Sequence, residues 1–383
     1  MANNNDNKVP NVPHLRFPEF SGEWKKYKVS ELLDFYSTNS LCWEQLEYDT
    51  NTVQNLHYGL IHVGLPTMVD LSKDKLPNIK EGNIPKTFEL CKKGDIAFAD
   101  ASEDTNEVAK AIEFYNLDEK NVICGLHTIH GRDNTDRTVV GFKGYAFSST
   151  AFHHQIRRIA QGTKIFSICI NNFSECYISI PSKEEQTKIA TLLRLIDERI
   201  ATQNKIIERL QSLMSGIVEK TFVSTRYAPL QHYAPIITSG KDKDSGGNYP
   251  LYGSTGIIGS VSKPSYTKTA VLIARVGSIG NVQYVTIPCG ISDNTLIIDA
   301  GENNRFIYYY LNDYNFSHIT SGTTQPLITA SSVKKIAVPI IEKQRKKKII
   351  AMMNSIEHKL CNEKHIASLL SRQKGFLISQ MFI

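Results

Sequence analysis

At 383 residues the chain is longer than one ordinary hydrophobic core accommodates, so two or three domains are expected. Hydrophobic residues make up 41% and charged residues 21%, as in soluble globular proteins, and no apolar stretch is long enough to cross a membrane. The formal net charge of +6 permits nucleic-acid binding without requiring it.

The N-terminal segment and the cysteines indicate in which cellular compartment the protein works and whether it binds a metal or a cofactor. Residues 1–12 are polar and begin with an asparagine-rich run, so we expect them to be disordered, and they lack the apolar core of a signal peptide. The 7 cysteines include no C-x-x-C pair and have no regular spacing. We therefore expect a cytoplasmic protein with reduced thiols, no metal site and no cofactor.

Two strand-rich regions alternate with two long helices along the chain. Residues 13–181 contain short apolar runs bounded by glycines and turn residues, and residues 182–223 follow with a helical pattern. Residues 224–339 are again strand-rich, and residues 340–383 are again helical. The first helix is free of proline over about 39 residues, which corresponds to a length of about 58 Å. Shorter helices are expected over Tyr145–Ala160 and Phe306–Ile319.

Both long helices carry a coiled-coil seam, in which spacings of four and three alternate. The seam of the first helix consists of Ile189, Leu193, Ile196, Ile200, Gln203, Ile207, Leu210, Met214 and Ile217. The seam of the second consists of Ile349, Met353, Ile356, Leu360, Glu363, Ala367, Leu370, Lys374 and Leu377. Each position follows its counterpart by 160 residues, so the chain contains an internal repeat. The shared polar position, Gln203 and Glu363, either fixes the register or is an exposed seam position.

The connectivity favours an antiparallel pair of helices. The second strand-rich region connects the end of one helix to the start of the other, and a compact domain closes that gap only if these ends are neighbours. The expected fold is therefore α+β, with two globular domains, an antiparallel coiled coil and a pseudo-two-fold repeat. Within the globular regions two alignments stay open, since Cys124-Gly125 matches Cys289-Gly290 at one offset and Asp133-Asn134-Thr135 matches Asp293-Asn294-Thr295 at another.

Several motifs in combination resemble the specificity subunits of type I restriction–modification enzymes. They are the opening Pro13–Phe20 with Gly22 and Trp24, the segments 94–104, 249–259, 274–278 and 292–295, and the two helix openings in which a proline precedes Glu and Gln. The resemblance covers nearly the whole chain from Val12. It implies a non-catalytic subunit that binds a bipartite, asymmetric target in double-stranded DNA. It also implies two methyltransferase subunits, and restriction subunits with ATP-dependent translocase and nuclease activity, as partners, and no membrane.

In this family resemblance, residues 13–181 and 224–339 would be target-recognition domains, and residues 182–223 and 340–383 would be spacer helices. Polar residues in glycine-bounded loops and at strand ends are then the candidates for DNA contact. Arg275, at the end of an apolar strand, is a candidate for guanine recognition or phosphate binding. The alternative for Arg275 is an ordinary surface arginine at a strand end. For the other candidates it is turn capping or a solvated surface. The full set is Arg275, Ser278, Ser254, Thr255, Asp293, Asn294, Lys241 and Lys243 in the second domain, and Asp100, Ser102, His127, His130, Arg157 and Arg158 in the first.

Four consecutive cations, Arg345, Lys346, Lys347 and Lys348, stand in the first turns of the second helix, where they oppose the helix macrodipole. DNA phosphates or an acidic face of a methyltransferase subunit would compensate them, and a solvated face is the alternative.

Two other functions stay open. A nuclease or methyltransferase is one, although the chain has no Asn-Pro-Pro-aromatic, G-x-x-x-x-G-K-[ST] or H-E-x-x-H motif. A scaffold that binds no DNA is the other, and salt-sensitive DNA binding would distinguish it from a DNA reader.

Overall fold

In a computed structural model that describes residues 10–322 and 326–383, the chain divides into two units. Unit 1 comprises the chain up to Thr202 together with Ala367–Ile383, and unit 2 comprises Gln203–Ile366. Each unit therefore combines one strand-rich region with parts of both long helices. Residues 1–9, which make up most of the segment predicted to be disordered, lie outside the described residues, as do residues 323–325.

The strand-rich region of unit 1 contains two main sheets. Its strands are β1 Lys25–Lys28, β2 Asp34–Tyr36, β3 Leu46–Glu47, β4 Gln54–Leu56, β5 Met68–Asp70, β6 Asn78–Ile79, β7 Ile96–Ala99, β8 Ala101–Ser102, β9 Ala111–Asn116, β10 Val122–Cys124, β11 Thr128–Arg132, β12 Phe166–Ser167 and β13 Tyr177–Ile180. Its short helices are α1 Val29–Leu32, α2 Tyr58–His62, α3 Lys143–Phe147, α4 Thr150–Ile159 and α5 Ile170–Ser174, with a 3-10 turn at Trp43–Gln45. The larger sheets have the strand orders β2-β11-β7-β9-β5 and β10-β4-β6-β3.

The central strand β7 is apolar on both faces because both faces of its sheet are covered. Ile96 and Phe98 belong to the core that includes Phe147 and Phe173, while Ala97 and Ala99 belong to the core that includes Leu56. Since side chains alternate along a strand, a run without polar residues indicates burial on both sides.

The long helix α6, Lys183–Thr221, leads into the strand-rich region of unit 2. The strands there are β14 Tyr227–Pro229, β15 Ile236–Ser239, β16 Tyr249–Gly253, β17 Gly256–Val261, β18 Ala270–Ala274, β19 Val282–Val285, β20 Gly290–Ile291, β21 Thr295–Asp299 and β22 Ala337–Pro339. The helices are α7 Asn304–Asn312, α8 Ala330–Lys334 and the long α9 Lys343–Met381, with 3-10 turns at Leu230–His232, Gly301–Asn303 and Phe316–Ile319. The sheets have the orders β15-β21-β18-β19 and β17-β16-β20.

The same topology occurs in both units. The order β2-β11-β7-β9 corresponds to β15-β21-β18-β19, and the parallel pair β10 and β4 corresponds to β20 and β16. Gly125 N–H donates to the Leu56 carbonyl oxygen at 2.9 Å, as Ser292 N–H does to that of Tyr252, so Cys124 corresponds to Ile291 and the Cys-Gly alignment is wrong by two residues. The other alignment is wrong, because Asp133 follows β11 whereas Asp293 precedes the equivalent strand β21.

The two shorter helices expected from the sequence are each interrupted. The segment Tyr145–Ala160 contains the end of α3 and all of α4, and Ser149 starts the second helix by accepting a hydrogen bond from the backbone N–H of Phe152 at 3.2 Å. In unit 2, α7 ends at Asn312, and the side chain of Asn315 caps the following 3-10 turn. These helix boundaries are set by local capping by Ser149 and Asn315, and the pattern of apolar residues in the sequence does not reveal them.

The long helices pack in antiparallel fashion within each unit. In unit 1, Ile189 and Leu193 share a core with Met381 and Phe382, and Lys374 forms an ion pair with Asp197 at 2.6 Å. In unit 2, Val218 shares a core with Met353, while Gln203 contacts Glu363. Residue numbers that increase along α6 therefore pair with residue numbers that decrease along α9. The expected antiparallel coiled coil is confirmed. Among the described residues, no helix combines the length and hydropathy that crossing a bilayer requires.

The seam positions lie on the less accessible faces of both helices. The buried ones are Ile189, Leu193, Ile196, Gln203, Ile349, Met353 and Glu363. The half-buried ones are Ile200, Ile207, Leu210, Met214, Ile217, Ile356, Leu360, Ala367, Leu370, Lys374 and Leu377.

Candidate nucleic-acid interface

Several candidate residues of unit 2 meet at one edge of the sheet that contains β18 and β21. Arg275 follows β18, and its backbone N–H donates to the carbonyl oxygen of Asn294, just before β21, at 2.9 Å. Ser254 lies in the turn between β16 and β17, where its carbonyl oxygen accepts a hydrogen bond from Asn281 Nδ2 at 2.7 Å. The backbone N–H of Asn281 in turn donates to the carbonyl oxygen of Ser278 at 3.0 Å. The structure therefore groups Arg275, Asn294, Ser254 and Ser278, and adds Asn281, which the sequence analysis missed.

The side chain of Arg275 is anchored at only one nitrogen. Its Nη1 donates to Ser239 Oγ at 3.1 Å, while Nε is buried without a hydrogen-bond partner among the described residues. The half-buried guanidinium thus keeps donors for an acceptor outside the chain, such as a base edge or a phosphate.

Lys241 and Lys243 lie beside the same edge. Asp242 between them accepts a hydrogen bond from the backbone N–H of Ile291 at 2.7 Å and donates its own backbone N–H to the carbonyl oxygen of Ile291 at 2.9 Å. These bonds hold the loop next to Asp293, while both lysine side chains stay exposed. Asp293 and Thr255 are exposed as well.

Unit 1 presents the equivalent edge with different side chains. Asp100 follows β7, and its backbone N–H donates to the carbonyl oxygen of His127 at 3.0 Å, as that of Arg275 does to Asn294. The Asp100 carbonyl accepts from Ile168 N–H at 2.9 Å, and the Arg275 carbonyl accepts from Ile328 N–H at 3.0 Å. Asp100 is thus the structural counterpart of Arg275, and His127 is the counterpart of Asn294.

The side chains of this edge also interact. His127 Nδ1 lies 3.2 Å from Asp100 Oδ1, with His127 exposed and Asp100 half-buried. Burial raises the pKa of Asp100, although His127 acts in the opposite direction.

A cavity of about 680 Å³ opens beside the unit 1 edge, and its lining includes Tyr58, His62, Ser102, Lys110 and His127. The rings of Trp43 and Tyr58 lie 4.3 Å and 4.7 Å from the ring of His57. The pKa of His57 is lowered by burial, and His127 adds to this effect. Trp43, His57, Tyr58 and His62 were missed by the sequence analysis because nothing in their spacing relates them to residues 100–127.

Arg157 and Arg158 stand in the last turn of α4, and both are exposed. Arg157 Nη1 donates to Asn106 Oδ1 at 3.0 Å, which connects the helix to the loop after β8. Both side chains are therefore accessible at the surface, and their contact with DNA stays a prediction.

His130 corrects one expectation, because its side chain is 0% exposed and does not reach the surface. Its Nε2 lies 2.7 Å from Asp95 Oδ2, and the Nε and Nη2 of Arg132 each donate to the same carboxylate at 2.8 Å. His130 therefore makes no base contact in this conformation. The reason is local: it lies within β11, with its side chain directed into the domain, rather than in a loop.

The four cations at the start of α9 are not equivalent. Arg345, Lys347 and Lys348 are exposed. The ammonium of Lys346 instead folds back to donate to Asn303 Oδ1 at 2.7 Å and lies 4.9 Å from the centre of the Phe306 ring. Burial lowers the pKa of Lys346. Lys346 therefore packs within unit 2. Lys347, Lys348 and the exposed Arg345, whose Nη2 also donates to the Thr221 carbonyl oxygen at 3.3 Å, remain accessible to an anionic partner.

A family model described as the type I restriction modification DNA specificity domain matches residues 132–212 and 232–371, more than half of the chain. The chain belongs to this family. The resemblance of the sequence motifs is thereby confirmed, and specificity subunits are the non-catalytic, DNA-recognising members of type I restriction–modification systems.

Relatives and solved structures of this family agree. A putative type I specificity subunit of Mycoplasma genitalium is 25% identical over 301 residues, 70% of this chain and 78% of the relative. A putative specificity subunit of Haemophilus influenzae is 26% identical over 141 residues, 34% of this chain and 37% of the relative. The crystal structure of an M. genitalium S subunit matches with a TM-score of 0.64 and 20% identity, covering 97% of this chain and 99% of that one.

A further structure, from a study of assembly and conformational transition of the type I system, matches with a TM-score of 0.55 and 15% identity over 96% of this chain and 98% of that one. The first of these likenesses shows that the chain has the fold of an S subunit, and the second shows that this fold occurs in a type I system.

Proposed function

We propose that this specificity subunit reads a bipartite, asymmetric target in double-stranded DNA, with one half-site bound by each strand-rich domain. The observation that carries the proposal is the repeated sheet edge with unlike side chains. Arg275 and Asn294 occupy the positions in unit 2 that Asp100 and His127 occupy in unit 1. A shared scaffold with different polar groups suits two half-sites of different sequence.

The chemistry of the two edges differs in kind. Arginine donates to guanine O6 and N7, and asparagine pairs with adenine N6 and N7, so the unit 2 edge suits purines in the major groove. Aspartate accepts from cytosine N4, so Asp100 suits a cytosine. The exposed cations Lys241, Lys243, Arg157 and Arg158 would contact phosphates, which adds affinity without sequence information.

The long helices would serve as spacers and as docking surfaces for two methyltransferase subunits, with restriction subunits completing the complex. Such partners would cover large apolar side chains of α6 and α9 that lie off the seam and are exposed in this chain. These side chains include Leu195, Leu213, Met352, Leu369 and Phe376. In this proposal residues 13–181 and 224–339 are the target-recognition domains, residues 182–223 and 340–383 are the spacers, and the complex works in the cytoplasm.

The test is methylome sequencing of cells that express this chain with its methyltransferase subunit, compared with cells that lack only this chain. We expect a new methylated motif made of two short half-sites around an unspecified gap. In a control strain the same methyltransferase subunit is paired with another specificity subunit, to show that it is active. If that control methylates its own motif while this chain yields none, the proposal fails.

A further inference from the structure

Three potential metal ligands that are far apart in the sequence meet inside unit 1. The Sγ atoms of Cys91 and Cys124 are 3.6 Å apart, and these two atoms and a ring nitrogen of His130 all lie within 4.8 Å of one another. All three side chains are buried, with Cys91 5%, Cys124 1% and His130 0% exposed. The cluster is separate from the DNA candidates at the surface.

The histidine has one nitrogen left for a ligand. Its Nε2 is occupied by Asp95 Oδ2 at 2.7 Å, whereas Nδ1 is buried and has no hydrogen-bond partner among the described residues. A buried polar nitrogen without a partner is unfavourable, so its presence calls for an explanation. A metal ion held together with the two sulfur atoms would satisfy the lone pair on Nδ1.

The surroundings of the cluster are those of a metal-binding histidine. Such histidines commonly donate their second ring N–H to a carboxylate, which fixes the tautomer and raises the basicity of the ligating nitrogen. Asp95 plays this part here, and it is itself held by Arg132 through two hydrogen bonds of 2.8 Å.

The distances also fit a tetrahedral ion. Zinc binds cysteine sulfur at about 2.3 Å, which places two sulfur ligands at tetrahedral angles about 3.8 Å apart. The observed Sγ–Sγ distance of 3.6 Å is close to this value and far longer than a disulfide bond.

We propose that Cys91, Cys124 and His130 form a buried site for Zn²⁺. Both cysteines bind as thiolates and release their protons to solvent when the ion enters, and His130 binds through neutral Nδ1. The three side chains leave one position of a tetrahedral ion for a water molecule. The ion enters during folding, because the finished cluster is closed to solvent.

The site would brace the DNA-binding edge of unit 1. Cys124 ends β10 and His130 lies in β11, so the ion joins the two ends of the loop that carries His127. His127 has a left-handed backbone, with φ of 56°, which costs energy for a residue other than glycine. An ion that fixes both ends of this loop would hold His127 beside Asp100.

Unit 2 provides an internal control. Ile291 occupies the position that corresponds to Cys124, and the nearby Cys289 belongs to an apolar cluster with Ile291, Leu272 and Ile297. Ile297 pairs with Leu272 in the sheet as His130 pairs with Ala97, so an apolar side chain replaces the histidine. Among the described residues, no group of three potential metal ligands includes Cys289.

The test measures metal in the full chain, purified with its methyltransferase partner from medium without added zinc. We expect mass spectrometry to find one more zinc ion per complex in the parent than in Cys124→Ser or His130→Ala. The control variant Cys289→Ser should contain as much zinc as the parent. Because buried variants can misfold, a second measurement uses the unaltered chain from cobalt-supplemented minimal medium. A thiolate-to-cobalt charge-transfer band and tetrahedral ligand-field bands should appear, and the band should be unchanged in Cys289→Ser.

Three results would overturn the proposal. One is zinc content that is equal in the parent and in Cys124→Ser. Another is a cobalt-grown parent without a charge-transfer band. The third is an intact mass that shows Cys91 and Cys124 joined as a disulfide when the protein is isolated without oxidant. None of these readouts depends on the recognised DNA motif, so they can fail while the methylome experiment succeeds, or the reverse.

Discussion

Glu113 and Lys143 form an ion pair inside unit 1. The Glu113 carboxylate accepts hydrogen bonds from the backbone N–H groups of Gly141 at 2.9 Å and Gly144 at 2.8 Å, and lies 3.2 Å from Lys143 Nζ. The two side chains are 0% and 3% exposed. Glu113 thus connects strand β9 to the start of α3 inside unit 1. A buried pair of this kind tolerates the loss of both charges better than the loss of one.

We expect Glu113→Gln to lower the free energy of unfolding by about 3 kcal/mol, because it leaves the Lys143 ammonium buried without a counter-charge. Adding Lys143→Met should recover part of this loss, which urea denaturation of both variants would measure. The exposed pair of Lys75 and Asp49 supplies the control, since Lys75→Met should change the stability by less than about 1 kcal/mol. A single Glu113→Gln variant as stable as the parent would contradict the argument.

Arg275 allows the direct test of base recognition. If Arg275 binds a guanine, Arg275→Ala should weaken binding to a DNA duplex that carries the recognised motif by about 1–3 kcal/mol. It should also relax the sequence preference at one base pair. Arg275→Lys keeps the charge but loses the paired donors, so it should retain affinity better than specificity. Competition binding against DNA duplexes altered at each position would show this.

Lys241→Ala is the matched variant at the same edge. It should weaken binding to all sequences alike and reduce the slope of affinity against salt by about 1, as expected for a lost phosphate contact. If Arg275→Ala behaved in the same way as Lys241→Ala, the arginine would be a phosphate contact and the guanine hypothesis would be wrong.

The position of a residue in the fold was predictable from sequence where it depends on local chain features. A polar residue directly after an apolar strand, such as Asp100 or Arg275, is recognisable because the strand pattern itself marks the edge. The environment of His130 was not predictable from sequence, because Asp95, Cys91 and Cys124 approach it only through sheet pairing. No spacing rule relates these residues in the sequence.

At the scale of the helices, the polar seam position brings repeat-equivalent residues together. Gln203 Nε2 donates to the Glu363 carboxylate, and Lys359 forms an ion pair with the same side chain. Gln203 is 3% and Glu363 5% exposed, so the reading of this position as an exposed seam position is wrong. A buried polar pair in a coiled coil costs stability and disfavours other registers.

We expect the double substitution Gln203→Leu with Glu363→Leu to raise the midpoint of chemical denaturation, because two apolar side chains replace a desolvated polar pair. Glu363→Leu alone should lower it, since the buried Gln203 amide then loses its carboxylate acceptor and keeps only the longer bond to the backbone carbonyl of residue 363. Ile207→Leu, which keeps the seam apolar, is the control and should change the midpoint little. A double variant less stable than the parent would show that the polar pair stabilises the helices outright.

The long helices were the most predictable elements. The expected spans 182–223 and 340–383 compare with α6 at Lys183–Thr221 and α9 at Lys343–Met381, since a heptad sustained over many turns leaves little ambiguity. The strand pairing was not predictable in the same way. The parallel pair β4 and β10, for example, consists of three-residue strands whose partners are separated by the whole of β5–β9. Such short runs carry no register information of their own.

For the whole molecule, the comparison of the two domains shows what duplication preserves. The helices keep a residue-by-residue repeat that is visible in the sequence, while the domains keep strand order and the hydrogen bonds around Asp100 and Arg275. Backbone topology tolerates replacement of most side chains, provided that each strand retains its buried face. Sequence comparison therefore aligned the helices and left the domain interiors open between two alternatives.

The last prediction concerns the spacer helices as the determinant of target spacing. Four residues inserted into α6 between Lys205 and Ile206 add about 6 Å of helix, close to two base-pair rises of DNA. We expect methylome sequencing to find both half-sites unchanged and the gap between them longer.

If this insertion abolishes methylation because the seam loses its partner, the same insertion at the equivalent place in α9, between His365 and Ile366, should restore it with a longer gap. A four-residue insertion at the exposed turn Asp118–Glu119 should leave the motif as it is. An active α6 variant that still recognised the original gap would show that the helices do not set the spacing.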